Sequence, residues 1–228
     1  MRTWISCLAS LFLIALAAPV QATVLYRVNV GGPLLAAADA SSPDWMADTG
    51  LAPSSFLANP GSGGLFSQTR AIDISDPSLT PAVPAALFQT ERWDDGALGD
   101  ALADEMQWAF SGIASGTTVE VRLYLAEIFT GVTAIGDRIF DVAVEGTVPA
   151  AFSDIDQFAL AGGALDRGIM ISTVVTVADG TLNLDFLHNV ENPAVKGIEL
   201  VVVPEPAFAA LMGLGLAGLA LRGRARSV

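Results

Sequence analysis

The chain predicts an all-β fold, a β-sandwich flanked by two apolar terminal helices, and three observations carry that expectation. Val119, Val121, Leu123 and Leu125 alternate with Glu120, Arg122 and Tyr124, and the same period-two pattern recurs at Phe140–Val144 and Leu182–Phe186. Such alternation marks strands with one buried face. Turn pairs at Ser115-Gly116, Glu145-Gly146 and Asp179-Gly180 separate these runs. No long helical period appears between the two ends of the chain, and short, regularly spaced strands argue for a sandwich.

Each element then follows in order. Further strands are expected at Val24–Val30, Leu87–Trp93, Met106–Phe110, Ile169–Val177 and Gly197–Val203. Asp179-Gly180 lies between two strand-like runs and predicts a hairpin turn. Trp108 falls in an alternating run and is expected in the core. Pro33–Pro84 is rich in Ala, Ser, Pro, Gly and Asp. It reads as an irregular excursion over the surface, with one short strand near Arg70–Ile74. No internal repeat is present.

The two ends are addresses rather than fold. Arg2 is a short positive region, Ile5–Ala18 is apolar, and Val20-Gln21-Ala22 is a small-residue cleavage site. Residues 1–22 therefore read as a secretory signal peptide. The only cysteine, Cys7, lies inside it, with almost no apolar stretch before it to make it a lipidation site. The mature chain is expected to have no disulfide and no cysteine to hold zinc. At the other end, Pro204-Glu205-Pro206 precedes an uncharged run, 207–221, and then Arg222, Arg224 and Arg226. Fifteen residues are short for a span, since the hydrocarbon core wants about 20. The arginines suit the cytoplasmic side of a membrane, which would leave the body outside. The plain alternative is a buried C-terminal core helix.

Between these ends lies one domain-sized body, Thr23–Val203, long enough to bury a core. It carries seven basic and 23 acidic residues, a net charge of −16. That surface repels nucleic acid, whose binding rests on Lys/Arg contacts to phosphate. It favours solubility and a monomer.

The catalytic inventory is thin. His188 is the only histidine, and no Gly-x-Ser-x-Gly elbow is present. It reads as a strand-end or loop residue. Asp94/Asp95 and Asp154/Asp156 are carboxylate pairs of the kind sugar hydrolysis needs, but Asp is plentiful here and turn formation is the simpler role. The calcium pattern Asp-x-Asp-x-Asp-Gly is absent. No enzyme activity, cofactor or metal is expected.

Four segments carry a family resemblance. They are Tyr26-Arg27-Val28-Asn29-Val30-Gly31-Gly32; Leu87-Phe88-Gln89-Thr90-Glu91-Arg92-Trp93; Leu123 to Phe129 with Arg138 to Gly146; and Asn189 to Leu200. In this order they resemble the malectin domain, a carbohydrate-binding β-sandwich of jelly-roll type, over nearly all of 23–203. The tail 204–228 resembles the PEP-CTERM sorting signal of Gram-negative bacteria. It implies an exosortase partner, a transient stay in the inner membrane, and cleavage near the motif.

The malectin resemblance implies saccharide binding by aromatic rings and an acidic residue on loops at one end of the sandwich. Carried onto this chain, those positions are Trp93, Phe129, Glu191 and Asn192. Trp93 stands where the family has a tyrosine, Phe129 is followed by Thr130 rather than a second ring, and Glu191 replaces an aspartate. A further family ring belongs within Pro33–Pro84, where Phe66 is considered and not assigned. The chemistry suits the role. Trp offers a flat apolar face to sugar C–H groups, and a carboxylate accepts strong charge-assisted bonds from hydroxyls. Asn adds a donor and an acceptor. The alternative is that Trp93 and Phe129 merely pack over the sandwich end and Asn192-Pro193 merely shapes a turn. The expected function is an exported polysaccharide-binding protein of the cell surface or medium. The alternative is a structural or adhesive sandwich that retains no saccharide site.

Overall fold

Among the described residues three sheets are built from 12 strands, and their order shows how the chain winds. The computed structural model describes residues 22–38, 42–80, 82–95 and 105–203. The strands are β1 Thr23–Asn29, β2 Met46–Ala47, β3 Leu57–Asn59, β4 Gly64–Ser67, β5 Thr90–Trp93 and β6 Met106–Ser111. They continue as β7 Thr118–Leu125, β8 Ile139–Val144, β9 Ile169–Thr176, β10 Thr181–Val190, β11 Ala194–Val195 and β12 Gly197–Val202. One sheet runs β2-β1-β12-β7-β9, a second runs β3-β6-β10-β8, and a small third runs β11-β5-β4. The only α-helix among the described residues is the single turn α1, Gln157–Leu160. The all-β expectation holds.

The alternating runs do what their period requires. Val119, Val121, Leu123 and Leu125 of β7 share one buried cluster with Met106, Trp108 and Phe110 of β6. Phe140, Val142 and Val144 of β8 and Leu182, Leu184 and Phe186 of β10 complete it. The two large sheets thus bury their facing sides against each other. Trp108 is in that core, as expected, and its indole N–H finds no acceptor among the described residues.

Two sequence expectations fail here. Asp179-Gly180 is not a hairpin turn. It joins β9, which pairs with β7 in the first sheet, to β10, which pairs with β6 and β8 in the second. The turn carries the chain between layers, and the Gly180 carbonyl accepts from the Ile113 N–H on the other sheet-crossing loop. Local turn chemistry is the same for a hairpin and a layer change; only long-range pairing separates them.

Pro33–Pro84 is likewise not a surface excursion. It contains β2, β3 and β4. Trp45, Leu79 and Val83 from it join Leu87, Phe88, Tyr124, Ala126 and Ile128 in a second buried cluster. Leu123 and Tyr124 are neighbours on β7 but belong to different clusters, so the segment covers the opposite side of the five-stranded sheet. The strand expected near Arg70–Ile74 is reduced to one bridge, Asp73 with Arg167. The Leu87–Trp93 run divides into a 3-10 turn, Ala85–Gln89, and β5.

That covered face is polar where the sequence alternates. Glu199 on β12 is fully buried and takes Arg27 at 2.5 Å, Arg122 at 3.0 Å and the Tyr124 hydroxyl at 2.8 Å. Burial, then the Glu199 charge, pushes the Tyr124 phenol well above its ordinary range. Arg27 lies 5.1 Å over the Trp45 ring, a cation–π contact.

The apolar termini, with the terminal helices and the 207–221 span expected there, lie outside the described residues apart from Ala22 and Val203. Among the described residues no helix is long and apolar enough to cross a membrane.

Candidate functional site

The small third sheet makes the floor of a pocket. Along β5, side chains alternate in direction. Thr90 and Arg92 are bound on one side, Thr90 to the Val30 carbonyl at 3.1 Å and Arg92 through two nitrogens to Asp48 at 3.1 and 2.9 Å. Glu91 and Trp93 take the other side. Antiparallel register sets Phe66 opposite Glu91 and Gly64 opposite Trp93, so these four residues share one face. Gly64 carries no side chain there, and a Cβ built on it would lie 3.8 Å from the indole. The Trp93 ring therefore lies over bare backbone.

Two loops complete the walls. Phe129 follows β7, and its N–H donates to Glu127 at 2.9 Å. Its ring folds over Gly131, where any Cβ would collide with it. Phe129 is 41 % exposed and meets Phe66 edge to face, 6.2 Å between centroids at 86°. The other loop is the tip between β10 and β11. Glu191 there has φ 57, a left-handed conformation uncommon for a residue with a Cβ and a store of about 1–3 kcal/mol of strain. Its carboxylate accepts from the Asn192 N–H at 2.5 Å and side-chain amide at 3.1 Å.

The resulting pocket is lined by Phe66, Glu91, Trp93, Phe129, Arg138, Glu191 and Asn192, and encloses about 400 Å³ open to solvent. All four residues singled out from the sequence line it. Phe66, Glu91 and Arg138 join them, although the sequence assigned none of the three a site role. The period of β5 puts Glu91 on the face of Trp93. Phe66 needs the β4–β5 register, and Arg138 needs the tertiary path of the loop after β7.

A line of buried charge runs beneath. Arg138, 3 % exposed, reaches Glu191 at 3.0 Å with Nη2 and Glu127 at 3.5 Å with Nε. Its Nε and Nη1 have no hydrogen-bond partner among the described residues. Glu127 accepts from the Gln157 amide at 2.8 Å, and the Gln157 carbonyl faces Lys196 Nζ at 3.4 Å. Lys196, fully buried, is ion-paired with Glu91. Three carboxylates and two cations thus form one connected set.

Beside it, one ligand atom from each of Asp94, Glu105 and His188 lies within 4.8 Å of the others, a grouping that could hold a metal ion. Their protons and oxygens already serve one another. His188 Nδ1 is 2.6 Å from Glu105, and Nε2 is 3.2 Å from the Asp94 carbonyl. The Asp94 carboxylate accepts from the Ser62 and Met106 N–H groups at 2.8 and 2.6 Å. These contacts tie the β5 end to β6. Burial raises the Glu105 carboxyl above its ordinary value, against the opposing pull of His188. Asp156 caps α1 through the Ala159 N–H at 2.8 Å. Of the carboxylates considered for hydrolysis, Asp94 and Asp156 are thus occupied by backbone N–H groups.

A sandwich with a pocket of aromatic rings and carboxylates at its loop end is the architecture of a binding module. The malectin domain model matches residues 24–203, and the chain belongs to that family. The PEP-CTERM protein-sorting motif matches 202–225, so the chain carries that sorting signal at its C-terminus. Comparison with curated protein sequences gave no match. Among solved structures, the chain is similar to the plant receptor-like kinase FER, with TM-score 0.65, 24 % identity, and coverage of 78 % of this chain and 49 % of that one. It is also similar to a complex of the plant peptide RALF23 with FER and LLG2, with TM-score 0.66, 22 % identity and coverage of 80 % and 49 %. The ANXUR2 extracellular domain from Arabidopsis thaliana gives TM-score 0.67 at 15 % identity, over 80 % and 49 %. The chain spans about half the length of these structures, and the likeness is one of fold.

Proposed function

We propose that this is an exported, non-catalytic carbohydrate-binding protein that recognises polysaccharide at the cell surface or outside the cell. The observation that carries this reading is the convergence of Trp93, Phe129, Glu191 and Asn192, drawn from three separate stretches, on one pocket with Phe66. Rings supply faces for the C–H side of a pyranose. Glu191 and Asn192 supply acceptors and a donor for its hydroxyl rim. Arg138 Nη2, which reaches Glu191 at 3.0 Å, adds a donor for a ligand oxygen that displaces part of the Glu191 contact. The sorting motif supports export, with an exosortase-type enzyme and the inner membrane as transient partners before release or surface display.

Affinity electrophoresis through gels of defined polysaccharides tests the reading. Retention is expected for the wild type, with loss of about tenfold in affinity on Trp93→Ala or Glu191→Ala. No retention across diverse glycans would leave the structural or adhesive reading in its place. Retention unchanged by both substitutions would move the site elsewhere.

A further inference from the structure

We propose that the saccharide this pocket takes is cationic: an amino sugar unit carrying a protonated amine. The inference rests on the carbohydrate reading above and adds the charge of the ligand to it.

Charge balance at the pocket is the first argument. Glu91, Glu127 and Glu191 face only Lys196 and Arg138 in the connected set, one carboxylate more than there are cations. Neither cation is available to an anion. Lys196 is fully buried behind Glu91 and does not line the pocket. Arg138 lines it but stands between Glu127 and Glu191, 3.5 and 3.0 Å away. A carboxylate or sulfate on the ligand would meet two pocket carboxylates, Glu91 and Glu191, before any free positive group.

The walls are the second argument. Phe66 and Phe129 stand at 86° to each other, and Trp93 lies on the same face of the small sheet as Phe66. The faces of aromatic rings attract a cation within about 6 Å of their centres. They equally stack on pyranose C–H groups, so an amino sugar satisfies both properties at once. Asn192 also lines the pocket, and its amide offers a carbonyl to a sugar hydroxyl, a group that a small quaternary amine lacks. Finally, the body around the pocket carries seven basic against 23 acidic residues. A field of that sign concentrates a polycation and repels a polyanion.

The test uses the full chain purified in detergent, titrated at low ionic strength by calorimetry with four oligomers of equal length. These are glucosamine, N-acetylglucosamine, glucose and galacturonate oligomers, with oligolysine as a polycation control. The glucosamine oligomer is expected to bind at least tenfold tighter than the N-acetylated and glucose oligomers, with no galacturonate binding. Glu191→Gln, which keeps size and polarity, is expected to shrink that preference at least threefold, and Trp93→Ala to weaken every sugar. Equal or tighter binding of an uncharged oligomer overturns the charge inference and leaves carbohydrate binding standing. No binding of any oligomer removes both. Displacement of glucosamine oligomer by oligolysine at equal charge, or a preference untouched by Glu191→Gln, would assign the effect to the acidic surface and overturn the pocket assignment.

Discussion

Arg138 Nη2 lies 3.0 Å from Glu191 Oε2, and the two residues differ sharply in setting: the arginine side chain is 3 % exposed and the glutamate side chain 34 %. The pair couples a buried charge line to the rim of the pocket. Its two members are therefore not equivalent in their effect on stability.

Arg138→Met is expected to destabilise the fold by about 3–5 kcal/mol, because it leaves the buried Glu127 without its cation. Glu191→Gly is expected to be close to neutral. It loses a half-exposed contact and relieves a left-handed backbone that glycine adopts freely. Urea unfolding of both variants checks the contrast. Equal destabilisation would show that the pair acts at the rim and not through the buried line.

Trp108 tests the cost of an unmet donor. It is buried between the large sheets with its N–H unsatisfied. Trp108→Phe removes volume, which costs stability, and also removes a buried donor whose desolvation costs about 1–3 kcal/mol. The expected net change is within about 1 kcal/mol of zero by the same bookkeeping. A loss typical of a large core deletion, about 3 kcal/mol or more, would reveal a partner for that N–H.

Gly31 is where the pocket floor is locked to β1. Its φ is +74, and a Cβ there would run into the Glu91 carbonyl. Gly31→Ala is expected to lower the unfolding midpoint and to weaken glycan retention together, since Glu91 lines the pocket. Gly116→Ala is the control, because it also has positive φ but nothing lies within 4 Å of its Cβ position. It should lower stability alone.

Opposite signs of pH dependence are expected from two carboxylates. Burial raises the Asp185 carboxyl, the Gln107 hydrogen bond opposes this, and the Glu145 charge adds to the rise. Its native state holds the proton more tightly than the unfolded chain. Its stabilising contribution is thus full below the ordinary Asp range and falls as pH rises through the raised value. Asp137 accepts from the Thr133 and Ala134 N–H groups, which lower it. Its contribution is present above the ordinary range and lost as pH falls. Thermal unfolding between pH 3 and 8 checks both. Asp185→Asn should remove part of the decline toward neutral pH, and Asp137→Asn part of the acid-side loss. No change in either slope would reject the assignment.

How much of this was legible beforehand follows from the range of each signal. The longer strands of both large sheets, β1, β6 to β10 and β12, were readable because strand pattern is local and its cause, burial of one face or both, acts on each strand separately; the short β2 and β3 were not. The covering segment was not. Trp45, Leu79 and Val83 lie among polar and small residues, so no periodicity marks them, yet all three are buried against the outer face of the first sheet. Phe66 was considered for the site and left open for the same reason.

By itself the sequence determined the all-β class, the C-terminal sorting motif, the family, and four of the seven pocket-lining residues. The fold class rests on local pattern; the family, the sorting motif and the four pocket residues rest on the resemblance of short segments. Tertiary structure alone decided that Asp179-Gly180 changes layers, that Pro33–Pro84 closes a second core, and that Phe66, Glu91 and Arg138 meet Trp93, Phe129, Glu191 and Asn192. Glu127 and Lys196, 69 residues apart, are joined through Gln157 for the same reason. A buried charge must find its partner wherever the fold brings one, and no spacing along the chain records that meeting.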